Sequence, residues 1–358
     1  MKIEEVQVSR LRIPLSQPYK LALGNVVHFD TLLATAVVDD RRGFGEATIL
    51  SGYTDETIEE SWKLAQDLCR RLARLSYHAA CAVLDGELLQ IAPFTVTAFR
   101  TALEMASGDP ILRTEKPTLV PLLFGINASD PPGIEQETQK ALDAGYRTLK
   151  IKVGFDVESD LARIRLIQSL NRRRASLRVD ANQGYSREDG CAFARRVSPD
   201  SIELLEQPCH AKDWDAAAAV AAVTAVPLML DESIYSMEDI DRAARLGAGL
   251  VKLKLMKFGS LKRLERGLRR IRELGMRPVL GNGVASDIGC WMEACVARST
   301  IDNAGEMNGY LRQRESVLAN PIPIETGAMR LDPGYVPQLA QERIEDLTVE
   351  IAGLETAR

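Results

Sequence analysis

One pattern constrains this chain more than any other. Beyond Pro117, short apolar runs recur at intervals of roughly 25 residues, and most end on a charged or amide side chain. The runs are Thr118–Leu123, Thr148–Lys152, Leu177–Asp180, Ile202–Leu205, Leu228–Leu230, Leu250–Leu253, Pro278–Leu280 and a weak one near Ile301. Helical periodicity fills the gaps, as in Gly133–Ala144, Val157–Leu170, Met237–Leu246 and Leu261–Leu274. Alternating βα units predict a parallel sheet with right-handed crossovers. Seven or eight units over about 200 residues fit a closed barrel better than an open sheet.

The flanks read differently. Residues 1–117 begin with strand-like alternation at Val6, Val8, Leu11 and Ile13, followed by the run from Thr31 to Val38. Thr54 is the expected N-cap of a helix reaching about Leu75, and a second apolar-periodic segment spans Thr95–Ala106. This predicts an α+β domain over 1–117, a barrel over 118–320, and a segment 321–358 that returns to the first domain.

Composition narrows the chemistry. Lys and Arg total 45 against 50 Asp and Glu, a net charge of −5, so no basic footprint for nucleic acid is present. The apolar stretch Ala216–Leu230 contains Thr224, is broken by Pro227, and falls short of the roughly 18 residues a membrane span needs. The six cysteines are scattered with no Cys-x-x-Cys pair, which predicts buried thiols in a reducing compartment. With charges at the N-terminus where a signal peptide is apolar, the expectation is a cytoplasmic protein. Only three histidines occur, His28, His78 and His210, so a histidine-rich metal site is not available.

In a parallel barrel the functional groups gather at the carboxyl ends of the strands. The residues there are Lys150 and Lys152, Asp180 and Asn182, Glu206, Asp231 and Glu232, Lys252 and Lys254, then Asn282. Asp180, Glu206 and Asp231 would meet in one mouth, where three bare carboxylates repel and call for a cation. All-oxygen donors suit Mg²⁺, or Mn²⁺. Lys152 and Lys254, on the second and sixth strands, would flank this row from opposite sides. A substrate carboxylate on the metal has an acidified α-proton, and a lysine beside a cation and a second lysine has a lowered pKa suited to a base. Alternation puts Lys252 and Lys254 on one face, so Lys254 is preferred over Lys257, which is expected in the following loop.

These residues sit in five strings: Thr148-Leu-Lys-Ile-Lys-Val-Gly, Val179-Asp-Ala-Asn-Gln, Leu205-Glu-Gln-Pro, Leu230-Asp-Glu-Ser and Lys252-Leu-Lys-Leu-Met-Lys-Phe-Gly. With Gly43-Phe-Gly-Glu-Ala near the N-terminus, the chain resembles the enolase superfamily in its muconate-lactonizing-enzyme subgroup over nearly its full length. Pattern and resemblance together predict an α/β fold, a modified (β/α)7β TIM-type barrel with an α+β capping domain. The resemblance implies that Lys152 and Lys254 are the acid/base pair and that Lys150 is an electrostatic helper. It implies that Asp180, Glu206 and Asp231 ligate Mg²⁺, supported by Asn182, Glu232 and Lys252. It also implies a homo-oligomer and a small-molecule carboxylate substrate. The mandelate-racemase subgroup would need a histidine at the seventh strand end, where this chain has Leu280-Gly-Asn-Gly-Val.

For the substrate, dipeptide epimerases of this subgroup carry Asp-x-Asp at the eighth strand end, and here the stretch is Gly305-Glu-Met-Asn-Gly. Glu306 keeps one anion and Asn308 replaces the other. Tyr19 and Tyr53 are expected to cover the mouth, Tyr53 offering a π-face to a cation. These features favour an N-modified or proline-like amino acid, and a racemase or epimerase. The same groups also suit a muconate-type cycloisomerase or a hydroxy-acid or hydroxyproline dehydratase. A Schiff-base lyase and a non-catalytic barrel are the remaining readings.

Overall fold

The structure, a computed structural model, describes residues 1–21, 24–50 and 54–355. The N-terminal part is an antiparallel sheet backed by helices. Its strands are β1 (Ile3–Leu21), β2 (Gly24–Val38) and β3 (Arg41–Ile49), and its helices are α1 (Ile58–Leu72), α2 (Tyr77–Leu84), α3 (Glu87–Ile91) and α4 (Pro93–Ser107). The N-cap of α1 is Thr57, not Thr54: the Thr57 hydroxyl accepts the Glu60 amide, while Thr54 accepts the Glu56 amide in the preceding turn. Apolar residues of β1 to β3 and the four helices form a core of their own. Gly43 and Gly45 let β3 lie flush on α4. A Cβ at Gly43 would stand 2.2 Å from the Ala106 amide nitrogen, and one at Gly45 would stand 2.5 Å from the Ala98 carbonyl.

The chain then enters β4 (Thr118–Pro121) and β5 (Phe124–Ile126). The run expected as the first barrel strand, Thr118–Leu123, is therefore not that strand. β4 pairs antiparallel with β13 (Ala328–Leu331), which pairs with β12 (Ile324–Glu325), and the barrel begins at β5. Pro121 has no amide hydrogen to give to a central ladder, which suits it to the end of this small outer sheet.

From β5 the units follow regularly: α5 (Pro131–Asp143), β6 (Thr148–Lys152), α6 (Val157–Asn171), β7 (Ser176–Asp180), α7 (Arg187–Arg196), β8 (Ile202–Glu206), α8 (Trp214–Ala221), β9 (Leu228–Leu230), α9 (Met237–Leu246), β10 (Leu250–Leu253), α10 (Leu255–Phe258), α11 (Leu261–Glu273), β11 (Arg277–Leu280) and α12 (Asp287–Thr300). The seven strands β5 to β11 form one parallel sheet in sequence order. Each helix start is capped where the sequence allows it, as at Asp156, Ser186 and the Ser236–Asp239 capping box.

The eighth strand expected near Ile301 is reduced to a single bridge, Leu122 to Gly305. The Gly305 amide donates to Pro121, the Leu123 amide donates to Gly305, and the Glu306 amide donates to Leu280. So the segment around Gly305 stands between the seventh strand and the entry to the first, and closes the curl. After it, α13 (Gln341–Leu347) leads to β14 (Thr348–Glu355), which pairs antiparallel with β1. The last strand thus joins the N-terminal sheet. Among the described residues no helix is long and apolar enough to cross a membrane. All six cysteines are buried and free.

Strand parity decides what the barrel interior holds. Lys150 and Lys152, Arg178 and Asp180, Leu204 and Glu206, and Leu250 and Lys252 each share a face because side chains alternate with period two. The lower interior is closed by Leu204, Met229, Leu250 and Val279. Beside them lies buried Arg178, which pairs with Glu203 at 2.9 Å and donates to the Ala304 carbonyl. The polar layer above this plug is the mouth.

Candidate active site

The mouth is built from strand ends in direct register. Lys152 lies opposite Asp180, and Asp180 opposite Glu206. The Lys150 ammonium lies 2.9 Å from Asp180 and 3.0 Å from Glu206. Lys252 lies 3.2 Å from Glu206 and 3.3 Å from Asp231. Lys152 contacts the free end of this row at Asp180, 2.6 Å, and Lys254 contacts the opposite end at Asp231, 2.9 Å. The three carboxylates are therefore brought together, but with ammonium groups between them. Among the described residues, no three acidic, histidine or cysteine side chains close on one point. The expected lysine pair stands on either side of the row. Lys152 keeps 38% of its side chain exposed and Lys254 only 6%, so the two ends of the row differ in access.

Turns after the strands orient these groups. Asn182 and Gln183 after β7, and Gln207 after β8, adopt left-handed backbone (φ 42°, 67° and 36°). The Asn182 amide donates to Asp180 at 2.9 Å, its side-chain oxygen accepts from Lys152, and its side-chain nitrogen donates to Glu232 at 2.9 Å. Asn182 and Glu232 thus form a bridge from Lys152 toward the fifth strand. The other Glu232 oxygen is buried without a hydrogen-bond partner.

The electrostatics divide the carboxylates. Burial acts to raise all of them, but ammonium neighbours decide the outcome. Lys150, Lys152 and Lys252 hold Asp180 down at about 2, and Lys254, Lys252 and Lys257 hold Asp231 well below the usual range. Glu206 goes the other way, to about 7, because burial and repulsion from Asp180 outweigh Lys150 and Lys252. Glu232 is raised by burial and by Asp231 and Asp180. Burial works against the charge on Lys150 and Lys252, yet their acidic neighbours push both above the usual lysine range. A central carboxylate held up by its neighbours, in an all-oxygen set on three adjacent strand ends, is a donor set suited to a hard divalent cation.

Two residues depart from the sequence expectation. Lys257 does not lie in a loop after the sixth strand. It falls in α10, is buried, and its ammonium reaches the Asp231 carbonyl at 2.8 Å and carboxylate at 3.2 Å, 4.4 Å from the centre of the Tyr235 ring. Burial lowers it to about 8. Gln207, quoted above only as part of a motif, holds Asp231 in place. Its side-chain oxygen accepts the Asp231 amide at 3.0 Å and the Ser233 amide at 3.3 Å, and its nitrogen donates to Ser233 and to the Cys209 carbonyl. A buried amide within Glu-Gln-Pro at a strand end was the available signal.

The expected substrate contacts scatter. Glu306 does reach the mouth, but Lys150, at 2.9 Å, and Lys252 both bond its carboxylate, which they hold well below the usual range against the effect of burial. Asn308 donates to the Leu123 carbonyl, and its oxygen is buried without a hydrogen-bond partner. Tyr19 packs edge-on against Phe29, with the Arg312 guanidinium 5.1 Å from its ring centre. Tyr53 lies outside the described residues. His210 is exposed at the turn before α8.

Comparison with known proteins agrees with this architecture. The family described as Enolase C-terminal domain-like matches residues 133–338, more than half of the chain. The chain belongs to this family. Among curated family relatives, an L-Lys-D/L-Arg epimerase of Methylococcus capsulatus is 31% identical over 284 residues, 73% of this chain and 77% of that one. An N-succinyl-L-Arg/Lys racemase of Bacillus cereus is 23% identical over 366 residues, covering 98% of each. Among solved structures, the muconate lactonizing enzyme of Pseudomonas fluorescens complexed with muconolactone superimposes with a TM-score of 0.86 at 25% identity, over 97% of this chain and 99% of that one. Racemases, epimerases and a lactonizing enzyme thus share this fold with the present enolase-family chain.

Proposed function

We propose that this enolase-family protein is an Mg²⁺-dependent isomerase that racemises or epimerises an amino-acid derivative by moving the proton next to its carboxylate. The observation that carries the reading is the placement of Lys152 and Lys254 at opposite ends of the Asp180–Glu206–Asp231 row. Asp180, Glu206 and Asp231 would hold the metal. When bound, it would supply positive charge that anchors the substrate carboxylate and acidifies the neighbouring proton. Lys152 would remove that proton from one face and Lys254 would deliver one to the other, with the roles exchanged in the reverse direction. Lys150 and Lys252 keep positive charge under the reacting carboxylate, and Asn182 holds the Lys152 ammonium toward it. Gln207 and Lys257 fix Asp231 from behind.

The relatives favour an N-modified or dipeptide-like substrate. The match to a lactonizing enzyme over nearly the full chain keeps cycloisomerisation as a second reading that uses the same lysines. A homo-oligomer in the cytoplasm completes the proposal, and sedimentation velocity checks the assembly.

The test is α-proton exchange in D₂O with Mg²⁺ across a panel of N-acyl amino acids, proline derivatives and dipeptides. Deuterium should enter the α-position of both configurations of a substrate. Lys152→Ala and Lys254→Ala should each abolish interconversion, by roughly 10²–10⁴-fold, while each keeps exchange of the configuration served by the other lysine. Exchange of both configurations in Lys152→Ala would remove that lysine as a base.

A further inference from the structure

Two buried carboxyl groups stand outside the mouth and take no part in the chemistry described so far. Glu46 follows the Gly43-Phe-Gly string on β3 of the N-terminal domain, and Glu293 lies on α12 of the barrel. One oxygen of each is occupied. Glu46 accepts the Ser286 amide at 3.0 Å, in the turn that opens α12. Glu293 accepts the Leu255 amide at 2.8 Å, directly after Lys254. The second oxygen of each is buried without a hydrogen-bond partner. Both residues line one small cavity, together with Thr48, Thr97, Asn282 and Gly289. Its water-accessible volume is about 10 Å³, roughly what a single water requires. Gly289 makes room for the arrangement, since a Cβ there would stand 2.2 Å from the bonded oxygen of Glu46.

Two unpartnered buried oxygens, on two residues that line one cavity, are costly unless a proton or a water satisfies them. We propose that Glu46 and Glu293 act as one buried carboxyl pair, bridged by a water and holding at least one proton. Through the Leu255 amide this pair positions Lys254. The pair joins the two domains behind the lysine, so docking of the N-terminal domain sets the geometry of one of the two bases. The charge environment agrees. Glu46 faces Asp287, and Glu293 faces Glu46 and, more weakly, Lys254 and Lys252. Among the described residues neither has an ion-pair partner within 4.0 Å, and burial raises Glu46 to about 7 and Glu293 to about 8. Among the described residues, the side chain of Lys152 at the other end of the row hydrogen-bonds Asp180 and Asn182, both of the barrel.

The inference rests on the two-lysine reading and predicts an asymmetry that a general folding defect would not produce. In wild type, both configurations should exchange their α-proton in D₂O, and failure of both would sink the two-lysine reading itself. The configuration that keeps exchange in Lys254→Ala defines the Lys152 face. Glu293→Ala should slow exchange on the Lys254 face by about 10- to 100-fold, since small displacements of a catalytic group have effects of that size. Exchange on the Lys152 face should stay within about twofold of wild type. Glu293→Gln, which can still accept the Leu255 amide, should restore most of the lost rate. Equal slowing on both faces, or none, would overturn the proposal. Should Glu293→Ala not fold, infrared difference spectra near pH 6 of wild type against Glu46→Gln and Glu293→Gln decide it. A protonated-carboxyl band lost in at least one variant supports the pair, and no such band overturns it.

Discussion

The mouth of the barrel and the seam between the two domains both bury acidic side chains, yet they leave them in opposite states. At the mouth, Asp180, Asp231 and Glu306 each touch at least two ammonium groups, and all three are held ionised at low pH. At the seam, Glu46 and Glu293 meet backbone amides and one another's field but, among the described residues, no ion-pair partner, and burial raises them to about 7 and 8. Both places bury carboxyl groups. What differs is the supply of cations, and that is set by how many lysines the strand parity points into one layer. Glu206 is the instructive intermediate: it sits among lysines but between two other carboxylates, and behaves like a seam residue at about 7. The mouth therefore favours the charged form of its carboxylates, while burial at the seam favours the protonated form.

The contrast can be broken most forcefully at its charged end. Asp231→Ala removes the shared partner of Lys252, Lys254 and Lys257. It should abolish α-proton exchange, by at least about 10³-fold. It should also cost about 3–5 kcal/mol of stability, the usual result of stranding a buried charge. Exchange assays and urea denaturation measure the two effects, and unchanged stability would mean that the ion pairs to Asp231 do not support the fold.

Glu306→Leu tests the floor of the same region. It removes one of three carboxylate partners from each of Lys150 and Lys252 and should cost less than Asp231→Ala, about 2 kcal/mol. Pairing it with Lys252→Met should recover a large part of that loss in a double-mutant cycle. A purely additive cycle would show that the two residues do not depend on one another.

The seam predicts a pH effect of opposite sense to that of the mouth. Glu46 has a folded value of about 7 against an ordinary value of 4.5. The folded protein therefore keeps a proton that the unfolded chain releases between those values. Its contribution is fully present below about pH 4.5 and is lost as pH rises toward 7. Relative to wild type, Glu46→Gln should thus gain in stability between about pH 5 and 8, by at most roughly 3 kcal/mol. Parallel denaturation series at the two pH values check this, and a constant difference would place Glu46 with the ionised carboxylates of the mouth.

The smallest effect belongs to neither region. Thr57→Ala removes the cap of α1 and should cost about 1 kcal/mol without changing exchange on either face. It sets the baseline for a purely structural loss in differential scanning calorimetry and exchange assays.

Much of this was legible along the chain. The βα alternation, the order of the strand ends and the shared face of Lys150 with Lys152 and of Lys252 with Lys254 are consequences of local periodicity, which any stretch of sequence carries by itself. The places where reading and structure part are places where a distant segment decides. Thr118–Leu123 reads as a barrel strand, but Pro121 and the returning strand β13 draw it into a separate sheet. The eighth strand shrinks to one bridge because hydrogen bonds to Pro121, Leu123 and Leu280 are enough to close the curl at Gly305. Lys257 reads as a loop residue, and the turn of α10 sends it back to Asp231.

By itself, the sequence determined which residues line the mouth and in what order, because strand parity and unit length are set within each βα segment. Only the tertiary structure decided what those residues carry: that Glu306 is held by two lysines, that Gln207 holds Asp231, and that Glu46 and Glu293 line one cavity across a domain boundary. Charge state depends on burial and on neighbours brought from elsewhere in the chain, and no local pattern encodes either.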